Sequence, residues 1–149
     1  MPRIQNTITI DRPVFDVFRF VADFEKADQW QPNLISTNLI ESGPTRVGTM
    51  IALNRRFMGR TVFVSADVTE FQNNRKLELK GVMINFPYIR TIETQSSGGR
   101  QTRVTDTIEI KTGCLYFWYS PLLRTFLGGQ INQEWGNLKH LLETRTETM

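Results

Sequence analysis

A chain of 149 residues, 40% hydrophobic and 22% charged, is long enough for one domain over residues 1–149 with a sizeable core, and it holds no run approaching the roughly 20 apolar residues of a membrane span. The net charge of +3, with Lys and Arg scattered rather than clustered, argues against a nucleic-acid partner. A single cysteine, Cys114, precludes an internal disulfide, and the N-terminus MPRIQNTITI lacks the basic-then-apolar pattern of a signal peptide, so the expected setting is the cytoplasm.

Arg3–Ile10 alternates, with Ile4, Ile8 and Ile10 on one buried face of an edge strand. Asp11-Arg12-Pro13 ends it, and Asp11 is placed to cap a helix that begins near Pro13 and has Val14, Phe15, Val17, Phe18 and Val21 on its apolar side. Asp23 reads as a second cap, opening a short helix over 24–30 that Pro32 terminates. From Asn33 to Lys111 the pattern is strand-like, with candidates at 34–41, 48–57, 60–71, 76–80, 85–95 and 101–111. Ser42-Gly43-Pro44, Met58-Gly59, Asn73-Asn74 and the SSGG run at 96–99 supply the turns between them. Val62, Val64, Ala66 and Val68 alternate cleanly, and Leu77 and Leu79 point inward. Arg55, Arg56 and Arg60 gather around the Met58-Gly59 hairpin and read as a solvated turn, the alternative being a contact with an anionic ligand or partner.

Residues 120–143 form the longest element. Ser120 is an N-cap with Pro121 at the first helical position, and Leu123, Leu127, Ile131, Trp135, Leu138 and Leu142 recur on one face. Gly128 lies on the flank of that face and, with Gly129, costs about 1 kcal/mol per residue relative to Ala in a helix interior. Either the pair permits close helix–sheet contact or a kink, or the missing side chain leaves room for a ligand. Many hairpin-spaced strands with helices at both ends mean an α+β fold: a curved antiparallel sheet with its helices on one side.

One strand, two short helices, six strands and a long C-terminal helix is the helix-grip order. The wording of RPVFDVFRFVADFEKADQWQP (12–32), GPTRVGT (43–49), VTEFQNNRKLELKG (68–81) and NLKHLLE (137–143) resembles the polyketide cyclase/dehydrase-like branch of the START/Bet v 1-like (SRPBCC) superfamily. Phe24, Glu25, Trp30 and Pro32, followed by Val47-Gly48-Thr49, carry the resemblance most specifically. It implies a seven-stranded sheet gripping the last helix around a cavity for a hydrophobic small molecule, a lipid or a polyketide-like aromatic. Aromatases, cyclases, lipid and quinone carriers, hormone receptors and chaperone cofactors share that arrangement, so the fold constrains activity weakly.

The strand at 101–111 has Val104, Asp106, Ile108 and Ile110 inward, and Asp106 is a carboxylate on an otherwise apolar face. The preceding strand offers Phe86, Tyr88, Arg90 and Ile92 in one register, and an odd-length loop places Arg90 opposite Asp106. The two are either a structural ion pair or a catalytic couple that presents a carboxylate and a guanidinium to a ligand's oxygens, suited to cyclisation or dehydration. The ligand-binding candidates are Trp30, Phe86, Tyr88, Arg90, Asp106, Arg124, Gly128, Ile131 and Trp135. Arg124 either neutralises an acidic ligand at the cavity mouth or snorkels into water. Glu134 reads as a boundary residue of the gripped face. The segment CLYFWY at 114–119 packs on the sheet rim, or forms a portal or a patch that meets a membrane transiently or a partner protein. His140, on the outer side of the helix, is the chain's one histidine, so no Ser-His-Asp or Cys-His pair is expected, nor any metal, nucleotide or other cofactor site. The readings in order are a binder or carrier, a cyclase or dehydratase, and an interaction module, as monomer or homodimer.

Overall fold

The computed structural model describes residues 3–32, 34–39, 44–57, 59–83, 86–111 and 120–144. Its elements run β1 (Arg3–Ile10), α1 (Val14–Val21), a 3₁₀ helix (Phe24–Gln29), β2 (Leu34–Leu39), β3 (Met50–Phe57), β4 (Arg60–Gln72), β5 (Lys76–Met83), β6 (Phe86–Ser96), β7 (Thr102–Ile110) and α2 (Ser120–Thr144). All seven strands join one antiparallel sheet in the order β1-β7-β6-β5-β4-β3-β2. The two short helices carry the chain from the β1 edge to the β2 edge, and consecutive hairpins then return it across the sheet. The β6–β7 hairpin closes through Gly98 and Gly99, both at positive φ, with the Ser97 N–H donating to the Gln101 carbonyl at 2.9 Å.

The inward faces of the strands and the stripe of α2 form the core. Ile131, Trp135, Leu138 and Leu142 are buried, and they meet a sheet face that includes Ile10, Val68, Leu77, Val104 and Ile110. Leu123 and Leu127 share that stripe by sequence, and their side chains lie outside the described residues. Among the described residues no helix is long and apolar enough to cross a membrane.

Three local expectations are corrected. Asp11 does not cap α1: the N-cap is Pro13, with no side-chain cap bond, and Asp11 instead accepts a hydrogen bond from Gln101 Nε2 at 2.7 Å. Phe15 is 51% exposed, with the Arg19 guanidinium 5.3 Å from its ring centroid, while Phe20 is buried. At about 100° per residue, Phe15 projects from the side of α1 opposite Val17 and Val21. Strand β5 runs past Lys80 to Met83, because Gly81 does not break it. A Cβ at Gly81 would stand 1.7 Å from the Ser65 carbonyl oxygen of β4, so glycine is what allows the two strands to close at this point. Asp23 does cap the 3₁₀ helix, accepting from the Glu25 N–H at 3.2 Å.

Candidate functional site

Two buried ion pairs lie where the sheet meets α2. The first joins β6 to β7. The strand register sets Arg90 opposite Ile108 and Ile92 opposite Asp106, so Arg90 is two positions from where the sequence put it relative to Asp106. The two residues still share a face, and the long arginine spans the diagonal. Its Nε donates to Asp106 Oδ1 at 2.9 Å and its Nη2 to Oδ2 at 2.6 Å. Trp135 of α2 donates its indole N–H to the same Oδ2 at 2.8 Å. Asp106 is 1% exposed, and both of its oxygens are engaged. Burial alone would lower the Arg90 pKa, but the Asp106 carboxylate outweighs it and holds the guanidinium above its ordinary value.

The second pair joins β3 to α2. Arg55 is not a solvated turn residue: it is 9% exposed and follows Ile51 and Leu53 on the inward face of β3. Glu134 is not a boundary residue either; it is fully buried. Its place three residues after Ile131 and four before Leu138 sets it on the gripped face of α2. Arg55 Nη2 bonds Glu134 Oε2 and reaches Gln130 Oε1 at 3.5 Å, and Arg55 Nη1 donates to Gln31 Oε1 at 3.1 Å. Among the described residues, Glu134 Oε1 is buried without a hydrogen-bond partner. Burial pushes the Glu134 carboxyl above the ordinary range, and the opposing pull of Arg55 and Arg90 does not cancel it. Arg56 and Arg60, by contrast, are exposed as expected.

Between the two pairs lies an internal pocket of about 80 Å³. Ile51, Leu53, Val64, Ala66, Leu79 and Ile108 give it apolar walls, and Arg55, Arg90, Tyr88, Gln31 and Gln130 bring polar groups to it. Tyr88 is buried and donates its hydroxyl to the Ser65 carbonyl at 3.1 Å; burial pushes its pKa up to about 12, against the pull of Arg90 and Arg55. A larger open groove of about 430 Å³ lies between α1, the 3₁₀ helix and the β4–β5 turn, and Phe24 lines both spaces.

Of the residues singled out from sequence, Tyr88, Arg90 and Ile131 line the internal pocket. Asp106 and Trp135 back Arg90, and Trp30 packs on Trp135 with ring centroids 5.1 Å apart. Phe86, half-buried at the start of β6, is not among the lining residues. Gly128 faces β1: a Cβ there would sit 3.7 Å from Ile4 Cγ2, an ordinary contact, and Gly129 has open space beside it. The Arg124 side chain and the segment 114–119 lie outside the described residues. Glu134, Gln31 and Gln130 were not among the sequence candidates, and Arg55 entered only as one of three hairpin arginines with an anionic ligand or partner as the alternative, although strand parity marks Arg55 and helical spacing marks Glu134.

The sequence matches the family described as "Polyketide cyclase / dehydrase and lipid transport" over residues 1–143. The chain belongs to this family. Solved structures agree on the helix-grip, START/Bet v 1-like fold. The Zhui aromatase/cyclase from Streptomyces sp. R1128 superposes with a TM-score of 0.80 at 12% identity, covering 97% of this chain and 94% of that one. A Thermus thermophilus protein gives 0.79 at 16% identity, covering 93% and 95%. A START superfamily protein from Mycobacterium smegmatis gives 0.77 at 15% identity, covering 95% and 97%. At such identities the likeness shows the fold alone. No curated protein matches the sequence.

Proposed function

We propose that this polyketide cyclase/dehydrase family member binds a hydrophobic small molecule, a lipid or a polyketide-like aromatic, between the sheet and α2. In this reading residues 1–149 work as one binding domain in the cytoplasm, with Tyr88, Arg90 and Ile131 contacting the ligand and Trp30 and Trp135 supporting them from behind. The observation that carries it is the lining of the internal pocket: aliphatic walls from four strands, with two guanidinium groups, a phenol and two amides converging on them. Native mass spectrometry of the purified protein tests it. A bound small molecule should leave on denaturation, and Leu53→Trp, which fills the pocket from its partly open wall, should lose it. A wild-type protein that is empty and takes up no naphthalene probe would sink the reading.

The second reading is a cyclase or dehydratase, favoured by Arg90 and Tyr88 reaching the same pocket. In it Arg90 polarises a ligand carbonyl and the apolar walls fold the substrate into a reactive shape. Asp106, with both oxygens committed, acts by positioning Arg90 rather than as a general base.

A further inference from the structure

We propose that the ligand is an acid with an apolar body, that its anionic group takes Arg55, and that Glu134 is the counter-ion it displaces, with one proton taken up from solvent for each ligand bound. This rests on the reading of the internal pocket as a ligand site. Arg55 lines that pocket, and of the three oxygens it holds, those of Gln31 and Gln130 are neutral and only Glu134 carries charge. Glu134 in turn is poorly held. It is fully buried, and among the described residues one oxygen has no partner and the charged groups that act on it are Arg55 from β3 and Arg90 from β6, which attract it, and Asp106 from β7, which repels it. Arg90 is already neutralised by the two-pronged grip of Asp106, so Glu134 depends on Arg55. Tyr88, facing both arginines, is neutral across the physiological range.

The site as it stands balances two guanidinium groups against two carboxylates. A ligand carboxylate added to it would leave one uncompensated negative charge in a buried space, which is strongly disfavoured. The balance is restored when Glu134 releases Arg55 and accepts a proton. Ligand carboxylate, ionised Glu134 and one proton become a carboxylate–Arg55 pair and a neutral Glu134 carboxyl. The released guanidinium offers the incoming carboxylate two parallel N–H donors, a geometry that Glu134 leaves half used. A neutral ligand of the same shape disturbs neither pair and takes up no proton.

The test is calorimetric titration of the full chain with 2-naphthoate and with its neutral counterpart 2-naphthalenemethanol, each in phosphate and in Tris, whose ionisation enthalpies differ. The expected result is uptake of about one proton per naphthoate, an affinity that falls about tenfold per pH unit through the neutral range, and no uptake with the alcohol. Glu134→Gln should bind naphthoate with no proton uptake and a flat pH profile. Should that variant not fold, the wild-type proton count decides alone. Naphthoate binding without proton uptake, or binding of the alcohol only, would overturn the exchange and leave the pocket reading standing. If neither compound binds, both fall.

Discussion

The two buried ion pairs are built from the same chemistry and differ in how completely they are satisfied. In Arg90–Asp106 both carboxylate oxygens are engaged, by two guanidinium N–H groups and an indole N–H from the gripping helix. In Arg55–Glu134 one oxygen is engaged and the other is buried without a partner among the described residues. Taking a charge out of water is repaid only when its lone pairs find donors, so the first pair is closed and the second retains an unmet demand. Position does not separate them, since both arginines line the pocket and neither carboxylate does. Number of satisfied lone pairs, more than charge or burial, separates a strut from an exchangeable contact in this molecule.

The most severe way to break the contrast is Asp106→Asn, which keeps the shape and leaves Arg90 buried without its counter-charge. A loss of about 3–5 kcal/mol in urea unfolding is expected; a loss below about 1 kcal/mol would mean the pair is not closed at all. Trp135→Phe removes the third donor and keeps a ring against Trp30, and should cost about 2 kcal/mol by the same measurement, in keeping with a hydrogen bond to a charged group. Glu134→Gln should cost no more than about 1 kcal/mol in mildly acidic solution, because a neutral carboxyl and an amide are near-isosteric. Its pH dependence is the sharper test. The Glu134 carboxyl is raised in the folded state, so its favourable contribution is complete below the ordinary carboxylate value of 4.5 and is lost as pH rises through the raised one. Glutamine has no such loss, so the variant should gain on wild type from roughly pH 5 upward; a widening deficit would contradict the assignment. Least disruptive is Tyr88→Phe, which removes the bond to the Ser65 carbonyl and should cost about 1 kcal/mol. In wild type, ultraviolet titration should find one of the three phenols resisting ionisation until about pH 12. The neutral phenol's contribution is intact below its ordinary value of 10.0 and fades as pH rises toward 12, and the late phenol should be absent from the variant.

Alternation and turn chemistry carried most of the architecture. Val64, Ala66 and Val68 are buried as their spacing required, and the stripe of α2 is buried wherever its side chains are described. What local pattern could not give was partnership across distance. Asp106 stood out because it interrupts a face of Val104, Ile108 and Ile110, but the register that sets its neighbour depends on the β6–β7 turn, and Arg90 arrived on the diagonal. Arg55 and Glu134 are 79 residues apart, and alone the one reads as a solvated turn residue and the other as a boundary residue of its helix. Their periodic positions say otherwise, Arg55 by strand parity with Ile51 and Glu134 by helical spacing from Ile131 and Leu138. Hydropathy overruled position in that reading, because a buried charge becomes plausible only once its partner is in view. Gly128 shows the converse: the missing side chain was legible, while the nearby Ile4 of β1 was not.

Glu134 and Trp135 are consecutive, so their side chains leave the axis of α2 about 100° apart. One engages β3 through Arg55 and the other β7 through Asp106. Contacts at two azimuths fix the roll of a helix as two teeth fix a key in its lock. Turning α2 far enough to draw the glutamate off Arg55 would tear the indole from Asp106, so the helix serves as a stationary jaw. Any yielding at the Arg55 contact then falls to the torsions of a single glutamate side chain, with the backbone around it held still.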